Sequence, residues 1–63
     1  MPSSREVLRR LQADGWKIVR IRGDHHQLQH PSRPGTVTVQ HPRKDLDIKV
    51  VRSIERQSGL KLH

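Results

Sequence analysis

Two adjacent histidines are the residues of this chain best suited to chemistry, and they lie in the segment Gly23-Asp24-His25-His26-Gln27. Imidazole accepts and donates protons near neutral pH, so a histidine can act as a general base or acid in a cell. The chain carries 13 Lys and Arg against 6 Asp and Glu, a formal net charge of +7. Such a charge attracts a polyanion, and a proton-transfer residue on a phosphate-binding surface favours RNA cleavage over binding alone.

Metal binding is one alternative for this histidine-rich segment, because Asp24, His25, His26 and His30 lie close together in the sequence. Neighbouring residues of a strand point to opposite faces, so His25 and His26 converge poorly on one ion. No acidic set suited to Mg²⁺ is evident either. We therefore expect no metal and no cofactor. A surface histidine that only forms hydrogen bonds or stacks is the other alternative.

The size and composition of the chain limit what it can be. A chain of 63 residues makes a single domain, residues 1–63, with a small core, so any active site lies on an open surface. The absence of cysteine excludes disulfides and thiolate metal sites and fits a cytosolic protein. No apolar run approaches the roughly 20 residues of a membrane span, and residues 1–15 do not resemble a signal peptide. We expect a cytoplasmic protein without membrane contact.

Two amphipathic helices are predicted near the ends of the chain. The first begins at Ser3, which has capping-box spacing to Glu6, and ends at Asp14-Gly15. The second begins at Asp47 and ends at Gly59. The apolar stripes expected to face the core are Val7, Leu8 and Leu11 in the first helix and Ile48, Val51 and Ile54, with Val50, in the second.

Three strand candidates lie between the helices, at residues 16–22, 25–30 and 36–40. The third alternates cleanly and directs Val37 and Val39 to the core, which requires Leu28 on the same face and His25 on the opposite, polar face. The alternation of the first strand is imperfect and leaves its buried face unassigned. The prediction is an α+β fold, a three-stranded antiparallel sheet with both helices on one face.

Many short segments of this chain are similar to those of a known family. They are Ser3-Ser4, Asp14-Gly15-Trp16, Val19-Arg20, Gly23-x-His25-His26, His30-Pro31, Val37-Thr38-Val39, His41-Pro42, Lys44-Asp45-Leu46, Arg52-Ser53-Ile54 and Gly59-Leu60. These segments occur in the same order and with few gaps in the HicA toxins, which the chain therefore resembles. HicA toxins are small bacterial mRNA interferases of type II toxin–antitoxin pairs. The resemblance implies a double-stranded-RNA-binding-domain-like fold, α-β-β-β-α. It also implies RNA degradation without a metal and neutralisation by a HicB-like antitoxin in a toxin–antitoxin hetero-oligomer.

The resemblance also assigns the site. The catalytic histidine of the family stands two positions after a glycine, which makes His25 the catalytic residue and Gly23 its backbone support. The chain departs from the family pattern at Asp24, where Ser or Thr is common, at Leu28, where an aromatic is usual, and at Gln40, where Pro is frequent. The segment Asp47-Ile48-Lys49 also replaces the more usual Pro-Ile-Gly.

The implied chemistry is transesterification. A base removes the proton of the 2′-hydroxyl, which attacks the adjacent phosphorus and leaves a cyclic phosphate and a 5′-hydroxyl; His25 is the expected base. Candidates for the proton donor or for the cation that stabilises the phosphate remain open: His26, His41, Arg20, Arg22 and Lys44. The expected RNA phosphate contacts are Arg20, Arg22, Arg33, Arg43 and Lys44.

Two other functional classes remain open. A non-catalytic RNA-binding module of the same fold would use the same charge, and so would a DNA-binding or protein-interaction domain, because fold alone does not decide function. The chain contains one Trp, Trp16, and no Phe or Tyr. Base stacking is therefore not expected as a main binding mode, and Trp16 is expected in the core.

Overall fold

The computed structural model describes residues 2–62, which fold in the order α-β-β-β-α. The elements are α1 (Ser4–Ala13), β1 (Lys17–Arg22), β2 (His25–Gln29), β3 (Thr36–Gln40) and α2 (Ile48–Ser58). The predicted order is confirmed, and every strand lies within a residue of its predicted bounds. The predicted single domain over residues 1–63 includes Met1 and His63, which lie outside the described residues. Neither described helix is long and apolar enough to cross a membrane.

The helix boundaries follow from local capping. The Ser3 hydroxyl accepts a hydrogen bond from the Glu6 backbone N–H over 3.1 Å at the start of α1. The Asp47 carboxylate accepts one from the Lys49 N–H over 2.8 Å at the start of α2. The left-handed conformation of Gly59, with φ of 77°, ends α2. The predicted helix signals at Ser3, Asp47 and Gly59 are therefore confirmed.

The sheet has the order β1-β2-β3, and both neighbouring pairs are antiparallel. In the central strand, His25 lies opposite Arg22 of β1 and Gln40 of β3. Residues directly opposite each other share a face of the sheet. His25 therefore lies with Arg22 and Gln40 on one face, and Leu28 of β2 lies with Val37 on the other.

A single core lies between this second face and the helices. Its buried apolar residues are Val7, Leu8, Leu11, Trp16, Leu28, Val37, Val39, Leu46, Val51, Ile54 and Leu62. Trp16 is only 1% exposed, which confirms the expectation that it packs in the core. Both helices contribute to this one cluster, so both cover the same face. The other face, which we call the open face, carries Arg20, Arg22, His25, Gln27, Thr38 and Gln40.

A β-bulge explains the irregular pattern of the first strand. The register between β1 and β2 shifts between Ile18 and Arg20, so one extra residue is inserted in β1. As a result Ile18 and Ile21 pair with Leu28 and His26, and they share the helix-side face although three positions separate them. Strand β1 forms one edge of the sheet, and Ile21 remains 57% exposed there.

Candidate active site

The open face consists of two polar rows that run across the three strands. The first row is Arg22, His25 and Gln40, in the order β1, β2, β3. The second row is Arg20, Gln27 and Thr38 in the same order. Neighbouring strands lie about 4.8 Å apart, so each row is only about 10 Å wide. An arginine on β1 therefore stands at the end of each row, with hydrogen-bonding side chains beside it.

The His25 ring is partly exposed and has polar neighbours on one nitrogen. Its side chain is 51% exposed. Nε2 of His25 lies 3.5 Å from Oδ1 of Asp24 and 3.4 Å from the amide nitrogen of Gln40. The exposed part of the ring is accessible to a ligand on the open face, so this histidine can exchange a proton with a group bound there.

Asp24 connects His25 to a cation. Its second carboxylate oxygen, Oδ2, accepts a hydrogen bond from Nη2 of Arg43 over 3.2 Å. Nη1 of Arg43 donates to the carbonyl oxygen of Pro42 over 3.2 Å, and the backbone N–H of His41 donates to the carbonyl of Asp24 over 2.8 Å. The segment 41–43 thus lies beside the start of β2, and the Asp24 carboxylate next to His25 is balanced by the Arg43 guanidinium.

Ser4 holds the segment 41–43 against α1. This serine is 1% exposed, and its hydroxyl lies 2.7 Å from Nδ1 of His41. The same Oγ accepts a hydrogen bond from the Arg43 N–H over 2.8 Å and donates to the Arg43 carbonyl at 3.2 Å. The Ser4 N–H donates to that carbonyl over 2.9 Å. The position of Arg43 near His25 is therefore fixed from the core side of the molecule.

The histidines His26 and His41 lie on the other face of the sheet from His25. His26 pairs with Ile21 and Val39, which places it on the helix-side face. Its ring meets the His41 ring edge to face, with 5.1 Å between centroids and an interplanar angle of 83°. Both rings are thus part of the packing between the sheet and α1. Neither ring therefore lies beside His25 on the open face.

Lys44 extends the positive surface around the edge of the sheet. Lys44, Arg43 and Arg5 line a shallow depression next to the start of α1. Arg43 contributes to this depression and to the ion pair with Asp24. The cations near His25 therefore continue from the open face toward the helix side.

This chain is similar in sequence and in fold to known proteins. Residues 4–60 match the model of a family described as the HicA toxin of bacterial toxin–antitoxin. The chain belongs to the HicA toxin family. No curated protein sequence matches this HicA toxin. A solved structure titled "HicA3 and HicB3 toxin-antitoxin complex" is 31% identical to it, with a TM-score of 0.83, over 97% of this chain and 98% of that one. The double-stranded-RNA-binding-domain-like fold implied by the sequence resemblance is confirmed.

Arg33 of this HicA toxin lies apart from the other predicted RNA contacts. Its Nη1 donates to Oδ2 of Asp14 over 2.7 Å and to the carbonyl oxygen of Ser58 over 2.8 Å. The loop that carries Arg33 connects the end of β2 to the start of β3. Along β2, this end of the strand lies about 13 Å from His25. The structure therefore places Arg22 opposite His25, Arg20 in the neighbouring row and Arg43 beside Asp24. Lys44 lies with Arg43 in the depression next to α1, and Arg33 lies between the ends of the two helices.

Gly23 forms the turn between β1 and β2. Its φ of 56° lies in the left-handed region, which glycine adopts without steric cost. A Cβ built on it would have no neighbour within 4 Å. The predicted turn is confirmed, and the space above Gly23 is open to a ligand.

The metal alternative gains no support from the arrangement of the side chains. Within residues 2–62, no three His, Asp or Glu side chains come together in a geometry that could hold an ion. Both ring nitrogens of His30 have hydrogen-bond partners away from His25. Its Nε2 lies 2.9 Å from the Asp14 carbonyl, and its Nδ1 accepts a hydrogen bond from the Ser32 N–H over 3.0 Å. A backbone N–H can only donate, so Nε2 is the protonated nitrogen of His30.

Two residues of the site were not identified from the sequence. Ser4 precedes Val7, Leu8 and Leu11 at helical spacing, so its position on the buried stripe of α1 could have been recognised. The alternation of β3 puts Gln40 on the face opposite to Val39, but the sequence assigns no role to this residue. Its approach to His25 depends on pairing between two strands, which the sequence does not specify residue by residue.

Proposed function

We propose that this HicA toxin is a metal-independent endoribonuclease that cleaves mRNA and thereby arrests translation, with His25 as the general base. The observation that carries the proposal is the location of His25. It is partly exposed on the open face, directly opposite Arg22, and it lies beside the Asp24–Arg43 ion pair. His26 and His41, by contrast, pack on the helix side.

The proposed reaction needs no external nucleophile. His25 takes the proton of a ribose 2′-hydroxyl, and the 2′-oxygen forms a bond to the adjacent phosphorus. The bond from phosphorus to the 5′-oxygen of the next nucleotide breaks, and that oxygen receives a proton from water at this exposed site. The products are a 2′,3′-cyclic phosphate and a 5′-hydroxyl. A positioned base of this kind contributes about 10² to 10⁴-fold to the rate.

The cations of the open face bind and orient the RNA backbone in this proposal. Arg20 and Arg22 stand at the β1 ends of the two polar rows. Arg43 lies beside Asp24 at the start of β2, and Lys44 lies next to Arg43 in the depression by α1. Contacts with phosphates give affinity without sequence information. Arg33 remains a proposed contact at the far end of the sheet, with one of its nitrogens already bound to Asp14 and Ser58.

A HicB-like antitoxin is the proposed protein partner. The similar solved structure is a complex of HicA3 with HicB3. The open face of this chain is rich in arginine, so an inhibitor that covers it would present acidic or hydrogen-bonding groups in place of RNA phosphates. Toxin, antitoxin and mRNA would then meet in the bacterial cytoplasm.

The proposed activity is tested by incubating the purified protein with single-stranded and structured RNA in EDTA. We expect cleavage, with cyclic phosphate on one product and a 5′-hydroxyl on the other. An RNA with a single 2′-deoxynucleotide at the cleaved position is the matched control and should stay intact there. If RNA is bound but not cleaved, the protein is the non-catalytic RNA-binding module instead.

A further inference from the structure

Two side chains from different strand ends converge on one nitrogen of His25. Asp24 precedes His25 in the chain, and its Oδ1 lies 3.5 Å from Nε2. Gln40 lies directly opposite His25 on β3, and its side-chain amide nitrogen lies 3.4 Å from the same Nε2. Nδ1 of His25 has no such pair of polar neighbours among the described side chains. The two nitrogens of the ring are therefore in different surroundings.

We propose that Asp24 and Gln40 are positioning residues that keep Nε2 of His25 protonated, so that Nδ1 is the nitrogen that receives the proton from RNA. The assignment of the tautomer rests on the Asp24 carboxylate beside Nε2, and the role of Nδ1 rests on the proposed function. A carboxylate next to a ring nitrogen favours a hydrogen there over a lone pair, because the lone pair would repel the carboxylate oxygen.

The carboxylate is held in place for this role. Its Oδ2 accepts the hydrogen bond from Arg43, which leaves Oδ1 directed at His25. The backbone N–H of Arg43 in turn donates a hydrogen bond to the buried hydroxyl of Ser4. His25 is thus oriented by a chain of contacts that begins in the core, an arrangement in which a third group orients the base.

The Gln40 amide accommodates the same tautomer. Rotation of the amide by 180° exchanges its oxygen and nitrogen without moving the rest of the side chain. In the structure the amide nitrogen faces Nε2 of His25. With a hydrogen on Nε2, the rotated amide presents its oxygen instead, which accepts that hydrogen. With a lone pair on Nε2, the Gln40 amide nitrogen would donate a hydrogen bond to it. Nε2 would then not be free to accept the proton of the ribose hydroxyl.

The tautomer is measured directly by long-range ¹H–¹⁵N NMR of the RNA-free protein. The protein is recorded at a pH of about 8.5, above the range in which histidine normally titrates. We expect His25 to show a protonated Nε2 and an unprotonated Nδ1. Asp24→Asn, which removes the charge and keeps the shape, should weaken this preference. Asp14→Asn removes the same charge at the far end of the sheet and should leave the His25 signals unchanged.

Cleavage kinetics distinguish a role of Asp24 and Gln40 in orienting His25 from a role in folding alone. Loss of an orienting aspartate costs up to about 10⁴-fold where the pair is buried. At this half-exposed site we expect Asp24→Asn to slow single-turnover cleavage by about 10- to 100-fold without weakening RNA binding. Gln40→Leu should act in the same direction. A His25 protonated on Nδ1 in the unsubstituted protein, or a tautomer preference that neither variant changes, would overturn the proposal. Absence of cleavage by the unsubstituted protein would overturn the nuclease function but not the tautomer assignment.

Discussion

The guanidinium of Arg33 donates a hydrogen bond to the carboxylate of Asp14 over 2.7 Å, although 19 positions separate the two residues. Asp14 is the residue at which α1 ends, and the same arginine nitrogen also reaches the Ser58 carbonyl in the last turn of α2. Arg33 therefore joins the ends of both helices to the loop between β2 and β3. An arginine predicted to bind RNA has a structural role that its charge alone did not indicate.

Replacing Arg33 tests this structural role. We expect Arg33→Gln to lower the free energy of unfolding by about 1 kcal/mol, because two charge-assisted contacts at a half-exposed site are lost. Urea denaturation measures the change. The salt dependence of RNA affinity should change less than in Arg22→Gln. An unchanged stability together with a clearly reduced salt dependence would assign Arg33 to RNA binding instead.

Ser4 should be important for stability although it is a single small polar residue. Its buried hydroxyl forms hydrogen bonds with the His41 ring and with the backbone of Arg43. We expect Ser4→Ala to cost about 2 kcal/mol, because the N–H of Arg43 and a ring nitrogen lose a partner. Ser32→Ala, at an exposed loop position, is the matched control and should change stability little. Equal denaturation midpoints for the two variants would contradict the account.

The glycines at positions 15 and 35 should respond differently to alanine. Both have positive φ, 103° and 88°. A Cβ on Gly15 would lie 2.8 Å from Nε2 of His30, whereas one on Gly35 would meet nothing within 4 Å. We expect Gly35→Ala to cost about 1 kcal/mol for its backbone conformation. Gly15→Ala should cost about 1 to 3 kcal/mol more, because the His30 ring must move. Thermal unfolding of both variants checks this, and equal losses would show that the His30 contact is unimportant.

The open face should account for the salt dependence of RNA binding. We expect Arg22→Gln to reduce the slope of log affinity against log salt by about 0.7, since one contact with a single-stranded phosphate is lost. Arg52→Gln, on the exposed side of α2, removes the same charge from the helix side and should leave the slope unchanged. Binding is measured with a 2′-O-methyl RNA, which lacks the nucleophile. Equal slopes for both variants would place the RNA elsewhere.

The parts of the fold that depend on local signals could be predicted from the sequence. The caps at Ser3 and Asp47 are formed by residues two or three positions apart, and the alternation of β3 reports its buried face directly. His25 and Leu28 are three positions apart in one strand, so their side chains point to opposite faces of the sheet. Because Leu28 faces the core, the sequence places His25 on the polar face. The buried face of β1 could not be assigned, because the bulge after Ile18 becomes visible only in the pairing with β2.

The contacts that complete the site could not be predicted, because they join distant parts of the chain. Ser4 and His41 are 37 positions apart, and Gln40 and His25 are 15 positions apart. Asp24 and Gln40 both depart from the HicA pattern, but nothing in the sequence connects them. The structure places both next to the same nitrogen of His25.

The central claim is that His25 performs proton transfer on bound RNA. The most direct measurement compares single-turnover cleavage by the unsubstituted protein, His25→Ala and Gln27→Ala in EDTA. The variants are purified identically, and RNA binding is measured in parallel. The account predicts that His25→Ala loses at least about 10²-fold in rate while still binding RNA, and that Gln27→Ala, two positions along the same open face, retains most of the rate. Cleavage by His25→Ala at the rate of the unsubstituted protein would contradict the account.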